Sequence, residues 1–222
     1  MKSYIEAIDK TRPITVGDNN PNGLQNANTQ EFSNKVSTVL AKNGEGLAGA
    51  NYSMGSMAGI HKTHPDWKII ATESASPSNS RGIYNTLSQY NKTGDYQCTA
   101  YDTNAVSWGN TARESWWYTI KDDFVSGEFI WTGFDYIGEP TPWNGTDKGS
   151  VSGDKLAVPN SSYFGVIDTA GFEKDSFYFY TSQWREDKKT LHVVPQSWNA
   201  EDLSISGGKV PVYVYSNAAK VE

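Results

Sequence analysis

An α/β fold built from parallel βαβ units is what the sequence predicts, on two observations. Strand-like and helix-like segments alternate four times between Ile14 and Trp184, and alternation at that spacing favours a parallel sheet crossed by helices. Four units in 222 residues are too few to close an eight-stranded barrel, which typically takes ~250 residues. The chain therefore reads as a small open sheet, or as half of a barrel whose other half lies upstream.

Each element has its local cause. Ser3 to Asp9 reads as the tail of a helix that stops before Pro13. Ile14-Thr15-Val16 is the first strand, followed by a polar loop from Gly17 to Thr29. Asn28 and Glu31 form a capping-box pair, and Phe32, Val36, Val39 and Leu40 stripe one face of a helix that Gly44 and Gly46 end. Leu47 to Ser53 is a short strand of small residues, and a weak helix from Met57 to His64 gives way at Pro65. Lys68 to Thr72 is a buried strand by its β-branched apolar run, delivering Glu73 at its end. Thr111 and Glu114 make a second capping box, with Trp116, Trp117, Ile120 and Phe124 expected on the buried face of the helix behind it. Glu128 to Thr132 is the next strand, and a Gly-, Pro-, Asn- and Ser-rich loop runs from Ile137 to Ser162. Phe177, Tyr180 and Trp184 mark the buried side of a last helix. Leu191 to Val194 and Val210 to Tyr215 are strands; the second, apolar on both faces, is expected to open a β domain that the chain does not complete, because a lone strand cannot bury two faces.

Composition narrows the function. A net charge of −6, with no Lys/Arg run, argues against nucleic acid as a partner. No stretch approaches the ~18 apolar residues of a membrane span. Cys98 is the single cysteine and cannot form an internal disulfide; with only His61, His64 and His192 there is no Cys/His zinc pattern. His61 and His64, three apart on a short helix, could hold a metal, but no third ligand is near and solvated surface is the simpler reading. Phosphate cradles and the GxSxG nucleophile elbow are absent from the sequence.

What remains is a set of polar and aromatic residues at strand ends, where parallel α/β folds build their sites. Asp18 follows the first strand, Asn51-Tyr52 the second and Glu73 the third; Trp131 ends the fourth, with Asp135 and Glu139 beyond. Carboxylates beside indole faces suit a sugar, whose C–H bonds stack on aromatic rings while its hydroxyls need charged acceptors. Each also has a plain structural reading: Glu73 as a capping or ion-paired carboxylate, Trp131 as core, Trp116 and Trp117 as helix packing. Cys98 has no histidine beside it in sequence and is assigned no role.

At these residues the sequence resembles family 2 glycoside hydrolases, β-galactosidases especially. Ile69-Ile70-Ala71-Thr72-Glu73-Ser74-Ala75-Ser76 with Ser80-Arg81-Gly82 resembles their nucleophile strand, and Phe129 to Trp143 (FIWTGFDYIGEPTPW) is a longer match. Ser161 to Gly171, Tyr180, Gln183-Trp184 and Leu191-His192-Val193-Val194-Pro195 continue it in order. The resemblance implies the C-terminal half of a (β/α)₈ TIM barrel over residues 1–198, a linker at 199–209, and the first strand of a truncated β-sandwich domain at 210–222. By the same resemblance Glu73 is the catalytic nucleophile and Tyr52 its hydrogen-bonding tyrosine. Trp131 walls the galactose pocket, Asp18 binds a hydroxyl, and Trp143 extends the pocket toward the leaving group. No cofactor is implied, and no metal ligands are visible.

One departure stands out. The family's acid/base is a glutamate following an asparagine, and no Asn-Glu pair occurs in this sequence. Retaining hydrolysis needs two carboxyls about 5–5.5 Å apart, so the expectation is a fragment of a retaining β-galactosidase that holds the attacker without the proton donor. β-Glucuronidase or β-mannosidase specificity, and a non-catalytic sugar-binding or scaffolding role, are the alternatives. A half barrel also leaves strand edges open, which predicts a homodimer or association with the missing half. The compartment is not legible in the sequence.

Overall fold

The structure, a computed structural model, describes residues 2–19, 47–87, 96–141 and 159–222. The expected helix over Phe32–Leu40 and Trp143 lie outside the described residues. The chain divides into two compact units, Met1–Ser74 with Glu114–Ile130, and Ala75–Arg113 with Trp131–Glu222.

The first unit contains a four-stranded sheet in the order β1 (Gly17–Asp18), β2 (Leu47–Asn51), β3 (Lys68–Ala75), β4 (Val125–Trp131). β1 pairs parallel with β2 and β2 parallel with β3, which bears out the parallel α/β expectation. The first strand is displaced from its predicted place: pairing falls on Gly17–Asp18, not on Ile14–Val16. Thr15 instead donates its hydroxyl to the Leu47 carbonyl at 2.7 Å, and the Val16 carbonyl lies so close to β2 that a Cβ at Gly49 would collide with it. Glycine is required there by close approach.

Around the sheet lie α1 (Lys2–Glu6), α2 (Met57–Thr63) and α3 (Ala112–Ile120). The core is Ala48 and Ala50 of β2, Ile69 and Ala71 of β3 and Val125 of β4, closed by Met57 and Ile60 from one face of α2. Trp67 joins them, and the rings stacked at its border explain the histidines. His61 stacks on Phe124 with ring centroids 4.0 Å apart, and His64 on Trp67 at 3.8 Å; both are packing groups, not solvated surface. Helix α3 follows its predicted stripe only in part: Phe124 packs against the core and Trp116 is half-buried. Ala112, Ser115 and Thr119 are buried while Trp117 is 60% and Ile120 52% exposed. The hydroxyl face can go inward because its groups are satisfied: Ser115 donates to the Glu128 carboxylate at 2.8 Å and Thr119 to the Ser115 carbonyl at 3.3 Å.

In the second unit α4 (Asp175–Trp184) packs with an antiparallel pair, β5 (Leu191–Val194) and β6 (Tyr213–Ser216), registered from Leu191↔Ser216 to Val194↔Tyr213. The last strand is thus paired with β5 and starts three residues later than predicted. Phe179, Tyr180, Ser176 and Ser182 form the buried face of α4, whereas Trp184 is 45% exposed, correcting its predicted burial. Tyr84, Ala100, Tyr101 and Val194 make the core, with Tyr101 set edge-on to Tyr84 and Tyr213. Asp102 caps the first turn of α3, accepting the Ala112 and Arg113 amides at 2.9 Å each.

Cys98 is fully buried in this unit, and burial pushes its thiol up to about 12. Alkylation at pH 8 is accordingly expected to be at least ~100-fold slower in the folded chain than in denaturant, since only the thiolate reacts. Comparable rates in the two states, followed by intact mass, would contradict the burial.

Candidate active site

The C-terminal ends of the parallel strands bring three of the predicted residues to one edge of the first unit. Asp18 closes β1, 9% exposed and in register with Ala50. Tyr52 follows β2, and Glu73 is the sixth residue of β3. The link between Tyr52 and Glu73 is made by backbone: the Tyr52 amide donates to the Glu73 carbonyl at 2.9 Å.

The ladder explains how Glu73 escapes the core. Ala50 pairs with Ala71, but Asn51 pairs with Glu73, leaving Thr72 as an extra residue in β3. Before this bulge the odd positions Ile69 and Ala71 are fully buried; after it Ser74 and Ala75 are buried and Glu73 is half-exposed. An extra residue reverses the side-chain phase, so Glu73 leaves the face that Ile69 and Ala71 occupy. Thr72 fastens the bulge by donating its hydroxyl to the Asn51 side-chain oxygen at 2.6 Å. Within the first unit Tyr52, next to this edge, has left-handed backbone with φ of 48°. Such conformations in residues other than glycine cost energy and collect at functional sites. Among the described residues, the Glu73 carboxylate accepts no hydrogen bond.

Trp131, the last residue of β4, lies in the second unit. Its indole N–H donates to the Tyr136 hydroxyl at 3.2 Å, and Tyr136 in turn donates to Glu139. Thr141 donates to the other oxygen of Glu139 at 2.8 Å. Burial and the Glu139 hydrogen bond push the Tyr136 hydroxyl up to about 12, so it remains a donor at neutral pH. The Trp131–Thr132 peptide is cis.

Asp135 is committed elsewhere. Lys174, its side chain 2% exposed, meets Asp135 at 2.5 Å and donates to the carbonyls of Asn79 at 2.8 Å and Tyr163 at 3.3 Å. The Gly165 amide donates to the remaining Asp135 oxygen at 2.7 Å. Burial pulls the ammonium pKa down and the carboxylate pKa up, and their mutual attraction opposes both shifts. Asp135 and Glu139, the two carboxylates after β4, are thus engaged in structural contacts. Arg81 is held by Asp168 at 2.7 Å and lies over the Phe172 ring. Sequence reasoning missed the Thr72 bulge and the Lys174–Asp135 pair. The burst of β-branched and small residues in Ile70-Ala71-Thr72 carries no sign of an inserted residue, and nothing local couples Lys174 to a carboxylate 39 positions earlier.

Comparison with known proteins sets these residues in context. The β-galactosidase BoGH2A of Bacteroides ovatus is 35% identical over 230 residues, covering 99% of this chain and 24% of that enzyme. A protein of Formosa agariphila assigned as a β-glucuronidase is 37% identical over 126 residues, 56% of this chain and 10% of that protein. The chain therefore spans at most about a quarter of the curated relatives it matches. Among solved structures, a β-glycosidase from Bacteroides vulgatus superposes with a TM-score of 0.56 at 22% identity, over 85% of this chain and 28% of that one, a likeness of fold. No protein-family model matches the chain. Along nearly its whole length, then, the chain is a homologue of one continuous segment of the family 2 glycoside hydrolases.

Proposed function

We propose that the chain supplies the second half of the (β/α)₈ barrel of a retaining β-galactosidase, with Glu73 as the nucleophile. The observation that carries this reading is the bulge at Thr72, which takes a carboxylate off the buried face at the C-terminal end of a parallel strand. The Glu73 carboxylate attacks C1 of a β-galactoside, the aglycone leaves with a proton, and water then releases galactose from the glycosyl-enzyme ester with net retention. By the family resemblance Asp18 binds a sugar hydroxyl and Trp131 and Trp143 offer stacking faces, while Tyr52 is tied to the nucleophile's backbone through its amide. The proton donor comes from the portion of a family member that this chain does not match, because no Asn-Glu pair occurs in it.

The test is covalent trapping. A full-length enzyme carrying this segment, incubated with a 2-deoxy-2-fluoro-β-galactosyl fluoride, is expected to gain one fluorosugar, mapped by peptide mass spectrometry to Glu73. A label on any other carboxylate would remove the assignment. The 222-residue chain by itself is expected to show essentially no turnover of an aryl β-galactoside.

The Formosa protein supports a second reading, a β-glucuronidase. Arg81, the arginine nearest Glu73 in sequence, is already paired with Asp168, which favours the neutral sugar. Side-by-side kcat/KM values for aryl galactoside and aryl glucuronide separate the two.

A further inference from the structure

We infer that Glu128 is a positioning residue for Glu73: by accepting the Ser74 hydroxyl it fixes β3 in the register that turns Glu73 out of the core. Glu128 lies on β4, and one of its carboxylate oxygens accepts the Ser74 hydroxyl at 2.7 Å and the Ser115 hydroxyl of α3 at 2.8 Å. Ser74 and Ser115 are both fully buried. The other oxygen of Glu128 is buried and has no partner among the described residues. Burial raises the Glu128 pKa, opposed by the surrounding hydroxyls of Ser74, Ser115 and Thr119. A half-satisfied buried carboxyl is a poor device for stability, since apolar groups of similar volume usually serve as well or better.

Its position explains it better. Without the extra residue at Thr72, Glu73 would continue the buried phase of Ile69 and Ala71, and Ser74 would take the open one. The bulged register puts the small polar Ser74 inside instead, where it is tolerable only with an acceptor. Glu128 is that acceptor, and a slip of one residue would break the bond while driving the Glu73 carboxylate into the core. The clamp therefore rewards the one register in which the candidate nucleophile is accessible.

The register has its own reporter, because the Tyr52 amide donates to the Glu73 carbonyl only when Asn51 is opposite Glu73. In the full chain, Ser74→Ala and Glu128→Leu should each speed hydrogen exchange at the Tyr52 amide by roughly tenfold, with β2 amides before the bulge, such as Ala48, changing less than about twofold. Glu128→Gln should restore slow exchange, because an amide oxygen also accepts both hydroxyls. Uniform acceleration along β2 and β3, or an unchanged Tyr52 amide in both variants, would overturn the clamp; if Glu128→Leu does not fold, Ser74→Ala decides alone. The catalytic meaning of the clamp rests on Glu73 being the nucleophile, and the exchange measurement does not. Absence of fluorosugar label in the unmodified enzyme would sink the glycosidase reading and leave the register result standing.

Discussion

Glu73→Gln, introduced into a full-length enzyme that carries this segment, is expected to lower kcat for an aryl β-galactoside by more than ~100-fold, about 2.7 kcal/mol of lost transition-state stabilisation. The amide keeps the shape and cannot form the ester. Because Glu73 is half-buried near the C-terminal end of β3 and the amide is isosteric, the substitution is expected to leave the melting temperature nearly unchanged, which separates chemistry from folding. A sharper version uses Glu73→Ala with added azide. A small anion entering the vacated space attacks C1 from the nucleophile's side, so the product is the α-galactosyl azide, of inverted configuration. Activity of Glu73→Gln above a hundredth of the parent's, or a β-configured azide, would mean that another group attacks the sugar.

Lys174→Met should cost the second unit about 3–5 kcal/mol, the toll of leaving one member of a buried ion pair behind. The methionine fills much of the volume, but Asp135 keeps only the Gly165 amide, and the carbonyls of Asn79 and Tyr163 lose a shared donor. Replacing both partners, as Lys174→Met with Asp135→Leu, should recover much of the loss, since the penalty lies in the orphaned charge and not in the missing attraction. Urea unfolding of the two variants measures this directly. A cost below about 1 kcal/mol for Lys174→Met would show that water solvates the pair, contrary to its burial.

The existence of most strands was legible in the sequence because it depends on short-range chemistry, whereas the bounds of β1, β3, β4 and β6 shifted by one to three residues. The β-branched run before Glu73 is a strand in any context that buries it, and Leu191–Val194 occurs where predicted, residue for residue. Faces were less legible. Trp117 and Trp184 were expected inside because they are large and apolar, yet α3 buries Ser115 and Thr119 and α4 buries Ser176 and Ser182. Which side of a helix faces the core depends on what waits there, and Ser115 meets its acceptor, Glu128, only when α3 folds back on the strand that follows it.

By itself the sequence determined that this is an acidic α/β protein with parallel strand units, a carboxylate at the end of its third strand, and homology to family 2 glycoside hydrolases. Only the tertiary structure decided which way that carboxylate points, because side-chain phase in β3 is set by a pairing with β2 that skips Thr72. It also decided that Asp135 belongs to Lys174 and Glu139 to Tyr136 and Thr141. Ion pairs and ladder registers are contacts between distant parts of a chain, and one residue's shift in either is invisible until the partners have met.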